Sequence, residues 1–146
     1  MTSYWDAAAI VPLLIPEQTS DQMFRRLRSE TALVTWWGTP VECESALARR
    51  SREGLNPQLI ATARVRLTLL RATWTEIQAA DEVRNLAMRV LWDHALRAAD
   101  ALQLAAALHA ADGTPGRLGF VSLDGRLRTA AAREGFPVFG GAPGDP

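Results

Sequence analysis

Leu118-Gly119-Phe120-Val121-Ser122-Leu123, closed by Asp124, is the stretch whose reading decides the fold. A short, nearly continuous apolar run of this kind suits a parallel strand covered on both faces, because a sheet with one wet face would impose alternation. Arg126 to Glu134 then reads as a helix with Gly135 as its C-terminal cap, and Phe136 to Phe139 as a last short strand. Before the run, Asp112 to Gly116 is a loop. Residues 98–111 (AADALQLAAALHAA) are so rich in alanine that a neighbouring backbone can approach closely, which predicts a central helix.

The order strand, acid, helix also begins the chain. Thr2 to Trp5 reads as a short buried strand, Asp6 stands at the junction, and Ala7 to Ile15 reads as a helix that Pro12 bends or shortens. Residues 20–30 place Met23, Phe24 and Leu27 on one helical face. Thr31 to Trp37 is β-branched and aromatic and ends at the breaker Gly38, as a strand would. Thr39-Pro40-Val41-Glu42 has the pattern of a capping box and opens a helix to about Glu53. After Gly54 and Asn56-Pro57, a helix over Gln58 to Arg71 carries Leu59, Ala63, Leu67 and Leu70 on one stripe. A further amphipathic helix is expected over Asp81 to His94, where Val83, Leu86, Ala87, Val90 and Leu91 follow the i, i+3, i+4, i+7, i+8 spacing and Arg84 and Arg89 face outward. Alternation of strands with helices and the right-handed crossover rule predict an α/β fold, with a parallel sheet flanked by helices.

The composition sets bounds on function. A chain of 146 residues, 48% hydrophobic and 22% charged, fits one globular domain with an ordinary core. All sixteen basic residues are Arg and sixteen acids balance them, which excludes a uniformly positive, nucleic-acid-coating surface. Any polyanion must be gripped locally. The single Cys43 and the two histidines, His94 and His109, argue against disulfides and a structural zinc. The longest apolar run, Ala7 to Pro16, has ten residues, whereas a membrane span needs roughly 20. Met1 to Asp6 lacks the positive segment of an export signal, so a cytoplasmic location is expected.

Asp6, Glu42 and Asp124 each follow a predicted strand and open a helix, and Asp100 starts the alanine-rich helix. In a parallel sheet the C-terminal strand ends share one edge, where open α/β folds bind their ligands. Four carboxylates gathered there repel one another unless a cation neutralises them, and an all-oxygen set suits Mg²⁺ or Mn²⁺. Each acid also has a plain structural reading, since Asp is a favoured helix cap and a capping-box Glu needs no chemistry. Capping alone gives no reason for such acids to be confined to elements that meet at one sheet edge.

These residues resemble the PIN-domain ribonucleases, and more closely the VapC-type toxins of bacterial toxin–antitoxin pairs. Four stretches carry the likeness in family order: Tyr4-Trp5-Asp6-Ala7 with Ile10-Val11; Thr39-Pro40-Val41-Glu42 with Ser45-Ala46-Leu47-Ala48-Arg49; Leu96 to Leu102 around Asp100 with Leu104 to Ala107; and Phe120 to Asp124 with Arg126-Leu127 and Ala130-Ala131. The resemblance implies a PIN-like three-layer α/β/α sandwich with a central parallel sheet over residues 1–139, followed by a flexible tail at 140–146. It assigns Asp6, Glu42, Asp100 and Asp124 to an acidic metal-binding cluster and implies Mg²⁺- or Mn²⁺-dependent cleavage of RNA. It also implies a cognate antitoxin whose C-terminal segment covers the cleft, often while toxin subunits pair as a homodimer. One position departs from the pattern: Ala8 stands where the family commonly has Ser or Thr, although Ser122 offers another hydroxyl.

On this reading Asp6, Asp100 and Asp124 hold the ion, and Glu42 completes its shell or orients the attacking water. Substrate phosphates need cations, for which Arg49, Arg50, Arg52, Arg64 and Arg66 are candidates and Arg126 and Arg128 second ones; the first group also reads as solvated helix faces. Trp36-Trp37 read as core more readily than as a base-stacking platform, His94 as packed at a helix end, and Cys43 as a small buried residue. The competing function, motivated by Ala8, is a catalytically weak module that mainly binds an antitoxin or RNA. A generic phosphohydrolase ranks last, because the sequence has no Gly-rich phosphate loop.

Overall fold

The computed structural model describes residues 1–141, so most of the expected tail (142–146) lies outside the described residues. Five strands, β1 (Thr2–Trp5), β2 (Ala32–Trp36), β3 (Thr75–Ile77), β4 (Gly119–Val121) and β5 (Val138–Phe139), form one sheet. Its helices are α1 (Ala7–Leu14), α2 (Ser20–Ser29), α3 (Thr39–Arg52), α4 (Pro57–Arg71), α5 (Asp81–Asp93), α6 (Ala98–Ala111) and α7 (Gly125–Arg133), with a 3₁₀ turn at Pro115–Arg117. Every strand pairing is parallel and the spatial order is β3-β2-β1-β4-β5. The chain therefore builds outward from β1 on one side and then returns to build on the other. The switch of direction falls between the adjacent strands β1 and β4, the place in open α/β sheets where ligands bind.

Consecutive residues of a strand point to opposite faces, and the two cores follow from that. Tyr4 and Phe120 stack at 5.4 Å between ring centroids and pack with Val83, Leu104 and Leu127 of the α5–α6–α7 layer. Their neighbours Trp5 and Val121 turn the other way, against Ile10, Leu14, Met23, Leu47 and Leu67 of the α1–α4 layer. A strand covered on both faces has no polar side to show, which is why β4 reads as an unbroken apolar run. Ala101, Ala105, Ala106 and Ala107 of α6 are fully buried, and α5 packs along this smooth surface as the composition predicts. No helix among the described residues is long and apolar enough to cross a membrane.

The structure corrects several local readings. Strand β3 was not foreseen, because Thr75-Glu76-Ile77 is only three residues long on the sheet edge, too short to display a period. The capping box does not form. Gly38 takes the N-cap position of α3, Thr39 is already helical, and no side chain caps the helix. Thr39 Oγ1 instead accepts from the Thr35 hydroxyl at 2.8 Å, and Glu42 turns away from the helix start. On α4 only Ala63 and Leu67 are buried, while Leu59 at the end of the expected stripe is exposed. The tryptophan pair splits: Trp36 is buried and Trp37 is half exposed.

Candidate active site

Asp6 and Asp124 follow strands, Glu42 lies in the first turn of the helix after β2, and Asp100 lies in the first turn of α6, which follows α5. Asp6 follows β1 and caps α1, its Oδ1 accepting from the Ala9 N–H at 3.0 Å. Asp124 follows β4 by two residues and caps α7, accepting from the N–H groups of Arg126 and Leu127. Glu42 sits in the first turn of α3 and Asp100 in the first turn of α6. The capping readings of Asp6 and Asp124 are therefore correct. Glu42, Asp100 and Asp124 line one open cleft together with Arg49, Arg97 and Arg126, and Asp6 lies buried next to Ser122 and within electrostatic reach of Glu42 and Asp124.

The electrostatics carry the mark of crowded, partly dehydrated carboxylates. Burial pushes the Asp6 carboxyl up to about 7, against the lowering effect of hydrogen bonds from Ser122 and Ala9 and with added repulsion from Glu42 and Asp124. Burial and the neighbouring Asp100 raise Glu42. Burial and Asp124 raise Asp100, while Arg97 and Arg126 oppose the rise. Cys43, one residue from Glu42, is pushed up to about 12 by burial first and by the surrounding acids second, so it remains a thiol and not a nucleophile.

Two polar side chains fix these acids. The Ser122 hydroxyl donates to Asp6 Oδ2 at 2.7 Å and accepts from the Asp124 N–H at 3.0 Å, which ties the ends of β1 and β4 together. Gln103 is the residue that the sequence reading missed. Fully buried one turn along α6 from Asp100, its Nε2 donates to Glu42 Oε2 at 2.5 Å and to Thr39 Oγ1 at 3.2 Å, and its Oε1 accepts from the buried Tyr4 hydroxyl. The available signal was a lone amide in an otherwise apolar helix, three residues from an acid and hence on the same face.

The arginines divide by role. Arg49 and Arg126 line the cleft as expected, joined by Arg97, which was not foreseen. Arg50 instead pairs with Glu17 at 3.1 Å and Glu53 at 3.8 Å. Arg64 pairs with Glu44, Arg66 donates to the Leu14 carbonyl, and Arg128 donates to the carbonyls of Ser122 and Gly140. Gly140, predicted to begin the tail, is thus buried and held, with a φ of 101° that favours glycine. Ala8 is exposed on the wall of a depression that adjoins the cleft through Glu42 and Arg49.

The donor chemistry, four hard carboxylates with no sulfur or imidazole, matches Mg²⁺ or Mn²⁺. As they stand, no three Asp, Glu, His or Cys side chains among the described residues are placed to hold an ion. The reason is visible in their hydrogen bonds, which turn Glu42 to Gln103 and Asp6 to Ser122 and Ala9.

No protein-family model matches the sequence and no curated protein matches it. Solved structures do match. VapC20 of Mycobacterium tuberculosis, a sarcin-ricin loop cleaving toxin, is similar with a TM-score of 0.66 at 17% identity, over 92% of this chain and 96% of that one. This chain has the PIN fold. FitAcB of Neisseria gonorrhoeae shares the PIN fold with a TM-score of 0.65 at 17% identity, covering 94% of this chain and 96% of that one. A toxin–antitoxin complex from Klebsiella pneumoniae gives 0.61 at 14% identity, over 97% of each chain. The PIN fold accounts for the parallel sheet and its two helical layers; the chemistry rests on the residues of the cleft.

Proposed function

We propose that the chain is a metal-dependent endoribonuclease that acts as the toxin of a toxin–antitoxin pair. The observation that carries this reading is the meeting of Asp6, Glu42, Asp100 and Asp124 at the switch point of the sheet, beside a rim of Arg49, Arg97 and Arg126. Asp6, Asp100 and Asp124 would hold Mg²⁺ or Mn²⁺, and Glu42 would complete the shell or orient the attacking water. The bound ion supplies an activated water and neutralises the charge that develops on the phosphoryl oxygens.

The chain's own groups do the rest. Ser122 keeps Asp6 Oδ2 directed toward the end of β4. Gln103 holds Glu42 by one carboxylate oxygen. The guanidinium groups of Arg97 and Arg126 offset the acids and receive substrate phosphates, for which arginine's planar fork is suited. RNA-cleaving VapC20 and the toxin–antitoxin complex among the structures of the same fold support the substrate class and an antitoxin partner.

Cleavage of single-stranded RNA by the purified chain tests the reading. Cutting should require Mg²⁺ or Mn²⁺, stop with chelator, and be lost in Asp6→Asn and Asp100→Asn while the fold persists. Equal cutting by those variants would overturn it. Growth arrest on expression, relieved by a small adjacent reading frame, tests the toxin role. The second reading, a weak enzyme that mainly binds antitoxin or RNA, is favoured by Ala8 on the cleft side; it predicts RNA binding without metal-dependent turnover.

A further inference from the structure

Helix α7 carries Arg126, Thr129, Ala130 and Arg133 along one stripe, at the i, i+3, i+4, i+7 spacing that aligns side chains on a helix. His94 and Ala95, from the connection between α5 and α6, form the opposite wall, and these six residues line a single hollow. Arg126 also lines the acidic cleft, so cleft and hollow are continuous through one guanidinium. Five arginines outside the cleft, Arg26, Arg50, Arg64, Arg84 and Arg89, form ion pairs with acids. Among the described residues neither Arg126 nor Arg133 is paired in this way. Glu134, which faces the hollow's His94 Nε2 at 2.9 Å, also accepts from Arg89 at 2.5 Å. His94 itself is almost wholly buried, and its Nδ1 has no partner. The hollow thus presents two arginines without an ion pair, one of them shared with the neighbouring acidic cleft.

We propose that this hollow is a phosphate subsite for single-stranded RNA, in which Arg126 and Arg133 grip backbone phosphates next to the one held in the acidic cleft. The two arginines are seven residues apart, about 10 Å along the helix axis, so they engage different phosphates of one strand. Thr129 stands between them, its hydroxyl donating to the Gly125 carbonyl at 2.9 Å and free to rotate to a phosphate oxygen. The track leads away from the repulsive acids, which explains how a cleft of four carboxylates admits a polyanion in a protein with no net charge. This subsite rests on the ribonuclease reading above.

The test compares wild type with Arg133→Gln and Arg133→Lys, both substitutions at an exposed position. Each binds a fluorescent single-stranded RNA in chelator over a range of salt, and each is assayed with Mg²⁺ on a long RNA and on a trinucleotide confined to the cleft. Arg133→Gln should weaken binding about fivefold and reduce the slope of log affinity against log salt by about 0.7, the value for one phosphate contact on a single strand. KM on the long RNA should rise with kcat unchanged, the trinucleotide should be unaffected, and Arg133→Lys should restore the slope. An unchanged slope and affinity in Arg133→Gln overturns the subsite, including the case where only affinity for an acidic protein partner falls. If the wild type binds RNA with the expected slope change but never cuts it, the subsite stands and the nuclease reading falls. If the wild type does not bind RNA, both fall.

Discussion

The hydroxyl of Ser122 donates to Asp6 Oδ2 at 2.7 Å, from the end of one strand to the end of its neighbour, 116 positions apart in sequence. Both residues are buried, so the bond is the main polar support of a carboxylate that burial already disfavours. Ser122→Ala should lower stability by about 1–3 kcal/mol, the cost of an unsatisfied buried acceptor. Because the lost bond lowered the Asp6 carboxyl, the variant's pH–rate profile should also move to higher pH. Urea denaturation and a pH series of RNA cleavage check the two effects. A profile that stays in place would separate Ser122 from the reaction.

The sign of the Asp6 displacement sets a second expectation. Raised from 3.8 to about 7, the folded carboxyl binds its proton more tightly than the unfolded one between these values. Stability from this group is therefore complete below about pH 4 and is lost as pH rises through 7, on the order of 4 kcal/mol in all. Without metal, the protein should denature more easily at pH 8 than at pH 5. Asp6→Asn should flatten that dependence, and added Mg²⁺ should stabilise the wild type more at pH 8 than at pH 5, since binding needs the deprotonated acid. Denaturation midpoints at the two pH values, with and without Mg²⁺, measure each part.

What the sequence made legible is what local chemistry encodes. Strand β4 announces itself because both of its faces are covered, and Asp6 and Asp124 because they end strands and cap helices. The rule that parallel strands share a C-terminal edge puts Asp6 and Asp124 at adjacent strand ends, while Asp100, on a helix that follows another helix, lies outside that rule. Strand β3 stayed hidden because its pairing with β2 is a long-range contact of three residues. Gln103 stayed hidden because its partners, Tyr4 and Glu42, lie 99 and 61 positions away, and periodicity does not report such distances. The capping box at Thr39 failed for a related reason: Thr35 and Gln103 compete for the same side chains and are found only in the folded state.

Gln103 joins Tyr4 to Glu42 inside the α6 layer, so an apolar replacement strands several groups at once. Gln103→Leu should cost about 1–3 kcal/mol for each buried polar group left without a partner, well beyond the loss of one hydrogen bond. Activity should fall further than stability explains, because Glu42 loses the donor that holds it at the cleft. Gln103→Glu is a sharper probe, since it sets a second acid against Glu42 and should lower activity more steeply as pH rises. Thermal melts together with cleavage rates at two pH values test both variants. Normal cleavage by Gln103→Leu at a temperature where it is folded would show that Glu42 needs no such support.

Glu42 and Asp100 come from different helices, yet Asp100 raises the proton affinity of Glu42 as Asp124 raises that of Asp100. Groups that hold one ion act as a unit, and removing either disables the whole. Glu42→Gln keeps an oxygen for Gln103, and Asp100→Asn keeps the shape of the first turn of α6, so both variants should fold. Each alone should reduce metal-dependent cleavage by at least about a hundredfold, and the double variant should be little worse than the poorer single one, as expected for coupled catalytic groups. In chelator the order reverses for stability. The double variant should be the most stable of the set at pH 8, because it removes two mutually repelling charges that no ion offsets. Cleavage rates and denaturation midpoints for the four proteins of this cycle decide the matter, and simple multiplication of the two single losses would mean that the carboxylates do not serve a common ion.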